Sequence, residues 1–310
     1  MNPSSDAVIS IQGLRKTYAT GFNALKGIDL EIRRGEIFAL LGPNGAGKTT
    51  TIKILMNLLA PTSGTARILG VDSRRLGPSE LAQIGYVSEN QQLPLWMTVA
   101  GVIAYCRPLY PTWDRALEAT LLEQFELPRE RKLRHLSRGI LMKTALLISL
   151  AYRPKLLILD EPFSGLDPLA RDEFARGLLE ASTAGDWTIL VSSHDIEEVE
   201  RLCDWVGILE MGRLRSAEAT EGLLRRFRWV EVAMPAVATV PPVIRSSWLD
   251  LAHSTNLVRF AESAYEGDIS EQAYRDCFPG ASVSVRPMSL REIFIAQARA
   301  TRTQRKGAAA

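Results

Sequence analysis

Gly42-Pro43-Asn44-Gly45-Ala46-Gly47-Lys48-Thr49 reads G-x-x-x-x-G-K-[ST], the pattern of a phosphate-binding P-loop. The apolar run Ile37-Phe38-Ala39-Leu40-Leu41 precedes it, and a helix-compatible stretch, Thr50 to Leu59, follows. Strand, tight loop and helix are the context this pattern requires. Glycines let the backbone curl so that successive N–H groups face phosphate oxygens. A helix beginning near Lys48 adds the positive end of its dipole. In such a loop the lysine, Lys48, reaches the β- and γ-phosphates, and the Thr49 hydroxyl binds Mg²⁺. The loop specifies a nucleoside triphosphate and leaves open what its energy drives.

Two further apolar runs end in polar residues that suit the same chemistry. Leu156-Leu157-Ile158-Leu159 ends in Asp160-Glu161 and reads as a buried parallel strand. Open α/β sheets bind ligands at the carboxyl ends of their strands. Asp160 is placed to hold a Mg²⁺ shell there, and Glu161 to position or deprotonate the water that attacks the γ-phosphate. Trp187 to Val191 is followed by Ser192-Ser193-His194-Asp195, which puts His194 at another strand end. A lone histidine is more often structural than catalytic, so position alone gives it little weight. Tyr18 follows Leu14-Arg15-Lys16-Thr17. An exposed aromatic there suits an adenine ring, but by position alone an ordinary strand tyrosine is the better reading.

Strands alternating with helices predict an α/β fold with a mostly parallel sheet covered on both faces. Leu25 to Ile32 alternates apolar and polar residues as a strand does. Thr62 to Thr65 reads as a turn, and Ile84 to Val87 as a strand ending in the polar loop Ser88-Glu89-Asn90-Gln91-Gln92. From Met97 to about Tyr152 the pattern is mostly helical. Ser137 is the N-cap of the last helix in that stretch. Ile196 to Cys203 also reads as helix. Beyond about Arg228 short strands and two helices, Ile269 to Phe278 and Leu290 to Ala300, predict a small α+β appendage. The tail from Thr301 to Ala310 is expected to be disordered.

The chain has 310 residues, 46% of them hydrophobic and 23% charged, which suits one large core plus a smaller one. A formal net charge of +2 argues weakly against whole-protein attraction to nucleic acid. The three cysteines, Cys106, Cys203 and Cys277, are far apart and form no C-x-x-C pair. They suit a reducing compartment and suggest neither a disulfide framework nor a metal site. The first residues show no signal peptide, and no apolar run approaches the roughly 18–20 residues of a membrane span. If the protein serves a membrane, another chain is expected to supply the spans.

Taken in order, Tyr18, the loop 42–49, the loop 88–92, Leu136-Ser137-Arg138-Gly139-Ile140, Asp160-Glu161, Ser164-Gly165-Leu166-Asp167 and His194 resemble an ATP-binding cassette (ABC) ATPase over residues 8–220. The resemblance implies a P-loop NTPase fold, an ABC ATPase core with an antiparallel β subdomain and a helical subdomain, here carrying the small C-terminal α+β appendage. It divides the chain into a nucleotide-binding domain at 7–220, with its helical part at about 92–150, a C-terminal domain at 221–300 and the tail at 301–310. It implies ATP and Mg²⁺ as ligands. Tyr18, Gly42, Pro43, Asn44, Gly45, Ala46, Gly47, Lys48, Thr49 and Thr50 would bind ATP. Thr49, Asp160 and Glu89 would serve the metal, Glu161 would be the catalytic base, and His194 would contact the γ-phosphate. Ser137, Arg138 and Gly139 would meet ATP in trans, across a head-to-tail pair with a second ABC ATPase subunit, homodimer or heterodimer.

Four positions depart from the family pattern. Glu89 stands where a glutamine is usual, with Gln91 or Gln92 as alternatives in another register. Arg138 and Ile140 replace a glycine and a glutamine in the signature loop, and Phe163 replaces a small polar residue. These variants resemble the bacterial multidrug and antibiotic-peptide exporter branch, whose ATPase is a chain separate from its transmembrane permease subunit. The resemblance implies a cytoplasmic protein, peripheral on the inner face of the cell membrane. Against it stands a soluble ABC ATPase acting on ribosomes or DNA. Such proteins usually carry paired cassettes or a long coiled coil, and this chain has one cassette, no heptad run and little net charge, so no nucleic acid is expected. A regulatory module that only binds ATP is disfavoured by the joint presence of Lys48, Thr49, Asp160, Glu161 and His194.

Overall fold

The computed structural model describes residues 6–89, 91–183, 187–234 and 245–308. The chain divides into two compact units, Met1–Ala217 and Glu218–Ala310, each with its own core.

In the first unit β1 (Ala7–Thr17) and β2 (Asn23–Arg33) pair antiparallel, and β3 (Ile37–Leu41) leads through the P-loop into α1 (Lys48–Leu55). Next come β4 (Ser63–Ile68), β5 (Val71–Asp72), α2 (Pro78–Leu81) and β6 (Ile84–Ser88). The helical stretch holds α3 (Val99–Cys106), α4 (Arg115–Gln124) and α5 (Arg138–Leu150). It is followed by β7 (Leu156–Asp160), α6 (Pro168–Thr183), β8 (Thr188–Ser193), β9 (Trp205–Glu210) and β10 (Arg213–Ala219).

These strands form two sheets, an antiparallel one in the order β2-β1-β4-β5 and a six-stranded one in the order β10-β9-β3-β8-β7-β6. In the second sheet β9, β3, β8, β7 and β6 run parallel. Every residue of β7 and β8 is buried, as unbroken apolar strands between two covered faces should be. β2 alternates instead and shows solvent one face. Ile9, Leu14, Phe38, Ile52, Ile158 and Leu190 belong to one core cluster that joins both sheets to α1. Each such side chain contributes roughly 1.5–3 kcal/mol by leaving water.

The parallel register aligns the strand ends. Ser88 faces Asp160, Asp160 faces Ser192, and Leu41 faces Ser193. The loops that leave β3, β6, β7 and β8 therefore emerge side by side, and they carry the P-loop, Glu89, Glu161 and His194.

The second unit contains α7 (Thr220–Arg226), β11 (Arg228–Ala233), β12 (Trp248–Ser254), β13 (Leu257–Glu262), α8 (Asp268–Cys277), β14 (Ser282–Pro287) and α9 (Leu290–Ala308). Its antiparallel sheet has the order β12-β13-β11-β14. Val230, Val232, Phe260 and Phe278 pack with Trp248 and Tyr274. The buried Glu262 carboxylate accepts hydrogen bonds from Trp248 Nε1–H (3.0 Å), the Tyr274 hydroxyl (3.1 Å) and Ala264 N–H (2.9 Å). Among the described residues no helix is long and apolar enough to cross a membrane.

Three local expectations fail. Ile196–Cys203 is a chain of turns in which three-residue bonds such as Val199 N to Ile196 O (3.1 Å) alternate with isolated four-residue ones such as Glu200 N to Ile196 O (3.0 Å), without a continuous helical ladder. Its acidic side chains look helical in sequence, yet Glu198 is drawn inward by Ser193 and Arg171. The turn expected at Thr62–Thr65 is the start of β4, where Gly64 at φ +84° lets its backbone pass close to Gly13. The tail expected to be disordered from Thr301 continues as α9 to Ala308.

Candidate nucleotide-binding and active site

The P-loop leaves β3 at Gly42 and enters α1 at Lys48. Gly45 and Gly47 have φ of +79° and +113°, backbone that side-chain-bearing residues rarely adopt. A Cβ at Gly42 would lie 2.1 Å from Leu209 O, and one at Gly47 2.7 Å from Leu25 Cδ2. Glycine is thus favoured at three positions, by space at Gly42, by dihedral at Gly45 and by both at Gly47.

Lys48 is buried, and its Nζ donates to Gly42 O (2.5 Å) and Pro43 O (3.3 Å) while lying 3.0 Å from Glu161 Oε1. The ammonium braces the loop from within and is already paired with the candidate base. A phosphate entering the loop competes for this cation, so nucleotide arrival and the charge pairing of Glu161 are linked. Thr49 Oγ1 donates to Asp160 Oδ1 (3.1 Å), and Ser192 Oγ donates to the same oxygen (2.7 Å). Burial pushes the Asp160 carboxyl above its ordinary range, and the bonds from Ser192 and Thr49 pull it part of the way back. A buried carboxylate beside a hydroxyl is a hard-oxygen donor pair of the kind Mg²⁺ takes.

Glu161 has φ +52°, a strained setting for a residue with a Cβ. It is held there by its N–H, which lies 3.2 Å from Ser192 O and 3.1 Å from Ser192 Oγ. Oε2 lies 2.8 Å from His194 Nδ1 and accepts from His194 N–H (3.3 Å). Oε1 is buried 3.0 Å from Lys48 Nζ and has no hydrogen bond among the described residues, so an arriving phosphate that draws the ammonium away would leave it able to accept a proton from water. His194 in turn stands on a backbone fixed by Ser193, whose Oγ donates to Glu198 Oε2 (2.6 Å) and lies 3.0 Å from Asp195 N.

A cleft of about 290 Å³ runs over this ground, lined by Tyr18, Phe22, Asn44, Lys48, Thr49 and Glu161 among others. Tyr18 is half-buried, with its hydroxyl 3.2 Å from Thr50 Oγ1 and Lys16 Nζ 5.5 Å from its ring centre. Sequence reading missed two neighbours. Phe22 is 58% exposed at the cleft, a second aromatic that sequence position alone did not single out. Ser192 links Asp160 to Glu161. Its only signal was its place just before His194.

The other predicted residues lie apart from Lys48. Glu89 reaches the cleft, and its Oε1 accepts from Ser164 Oγ (2.7 Å). Gln91 turns back to Ser88 N–H (3.2 Å). Ser137 does cap α5, accepting from Ile140 N–H (3.3 Å). Neither Ser137, Arg138 nor Gly139 lines this chain's own cleft. Phe163 is fully buried, edge-on to Phe174, so the large ring at that position is core.

A glycine-rich loop on a helix N-terminus, with an acidic pair at the end of a parallel strand one place removed in the same sheet, defines a P-loop nucleoside triphosphatase. The ABC transporter family profile matches residues 25–164. The chain is 32% identical over 213 residues to the ABC transporter ATP-binding protein YtrB of Bacillus subtilis, covering 69% of this chain and 73% of that one. It is 34% identical over 233 residues to the daunorubicin/doxorubicin resistance ATP-binding protein DrrA of Streptomyces peucetius, covering 73% and 69%. A dimeric ATP-binding cassette solved in a post-hydrolysis state with ADP and Pi superposes with a TM-score of 0.60 at 25% identity, covering 68% of this chain and 98% of the other. The chain belongs to the ATP-binding proteins of ABC transporters and is an ATPase.

Proposed function

We propose that this chain is the ATP-hydrolysing subunit that powers a separate membrane-spanning subunit of an exporter, through ATP-dependent head-to-tail pairing of two cassettes. Glu161 is the base: it takes the proton of the attacking water at Oε1, while His194 steadies Oε2. Lys48 and the P-loop amides hold the β- and γ-phosphates. Thr49 and Asp160 would hold Mg²⁺, which would neutralise charge on the phosphates. Tyr18 and Phe22 take the base. The partner cassette's α5 N-terminus, at Ser137 and Gly139, supplies N–H groups to the far side of the γ-phosphate.

One observation carries the exporter reading. An apolar groove of about 310 Å³, lined by Gln91, Gln92, Leu93, Leu95, Leu141 and Met142, begins two residues beyond Glu89. Around the same helical stretch Leu95, Trp96, Tyr105 and Leu109 are 50–70% exposed. Exposed apolar side chains in such number suit a partner surface. The neighbouring Glu89 loop gives that surface a direct route to the phosphates. The names of the relatives supply the drug-export context, and the chain's place is then the cytoplasmic face of the membrane. The test is Glu161→Gln, which is expected to abolish hydrolysis and retain ATP binding. Hydrolysis near the parent rate would remove Glu161 as the base.

A further inference from the structure

Arg138 is the first residue of α5, where a cation opposes the helix dipole and no acidic residue in the first turn offsets it. Its side chain, although half-exposed, leans across the neighbouring loops. The guanidinium lies against Gly165, close enough that a Cβ there would stand 3.0 Å from Nη1. Nη2 donates to Glu89 O (3.4 Å) and lies 3.7 Å from Glu89 Oε1. Glu89 is tied from two other sides, by its N–H to Asp160 O (2.8 Å) and by Ser164 Oγ to its carboxylate (2.7 Å). Three loops thus meet on one ion pair: the end of β6, the turn before α6, and the start of α5.

We infer that Arg138 is a positioning residue acting within its own chain. It neutralises Glu89 and keeps that carboxylate turned toward Ser164, so that the nucleotide does not meet a third free acid beside Asp160 and Glu161. Both members of the pair depart from the family pattern, and each is unfavourable alone. Glu89 adds a negative charge at the mouth of a triphosphate site, and Arg138 adds a positive one at a helix N-terminus. Together they cancel. The inference rests on the ATP site and not on the exporter reading, so loss of the membrane partner would leave it standing.

The test is ATP titration by calorimetry on the full chain, with steady-state hydrolysis alongside, for the parent, Arg138→Gln, Arg138→Lys, Glu89→Gln and the Arg138→Gln/Glu89→Gln double variant. Both side chains are half-exposed, so these exchanges leave the core intact. Arg138→Gln is expected to weaken ATP binding about threefold to tenfold, the scale of networked charge pairs. KM rises more than kcat falls, and Arg138→Lys stays near the parent. The decisive reading is the double variant: removing Glu89's charge should bring ATP affinity back to within about twofold of the parent. Failure of Glu89→Gln to restore Arg138→Gln, or no loss in Arg138→Gln itself, would overturn the inference. A merely structural Arg138 would lower the melting temperature without this rescue.

Discussion

Asp160 carries two demands that pull in opposite directions. Its carboxyl is pushed up by burial, so the folded state holds that proton more tightly than the unfolded chain does. The ionised form therefore destabilises the native protein. That cost is absent below the unfolded value of 3.8 and complete above the raised folded one. Asp160→Asn keeps an oxygen for Ser192 and Thr49 and removes the charge. Without nucleotide at neutral pH it is expected to melt about 2–4 °C higher than the parent, while hydrolysis is lost. Thermal scans should show that difference closing as the pH falls toward 3.8. Lys48→Ala removes a charge-assisted bond to phosphate and is expected to weaken ATP binding about tenfold to a hundredfold. Unchanged affinity in a titration would count against that role. Lys48, Thr49, Asp160 and Glu161 were legible in sequence because a loop pattern and a strand end are local features. Ser192 and the pairing of Arg138 with Glu89 were not. Those contacts join residues 32 and 49 positions apart, and only sheet register and helix packing bring them together.

The element that decides the site is the loop between β3 and α1, and its glycines are constrained by the rest of the unit. Gly47→Ala combines a positive φ with a clash on β2, and Gly42→Ala sets a Cβ against the β9 backbone at Leu209. Each is expected to destabilise the protein by about 2 kcal/mol or more. Denaturant titration reads this directly, and a wild-type midpoint would mean the loop yields freely. In the helical stretch Trp96 is 70% exposed. Trp96→Glu should leave stability within about 0.5 kcal/mol and ATP binding unaltered, yet reduce recovery of a membrane partner. The strands of the parallel sheet were readable because burial on both faces gives continuous apolar runs. The segment Ile196–Cys203 was misread because its periodicity is helical while its shape follows the tether from Ser193 and Arg171 to Glu198. In the second unit β12 and α7 were not foreseen. Their short, mixed sequences gain order from the core around Trp248 and from packing of α7 on α9.

At the scale of the whole molecule, the P-loop and acidic pair sit in one chain while Ser137 and Gly139 do not line the cleft of that chain. On the proposed reading, a second cassette completes this site. Glu161→Gln should therefore elute from size exclusion as a monomer without nucleotide and as a dimer with ATP. Monomeric behaviour under both conditions would speak against head-to-tail pairing. The central claim, an ATPase that drives a separate membrane-spanning subunit, is tested most directly by one pull-down. Full-length Glu161→Gln protein is captured from its native membranes in mild detergent with ATP and Mg²⁺. Recovery of a multi-span membrane protein is the predicted result. Recovery of soluble partners alone, or of ribosomes, would contradict it.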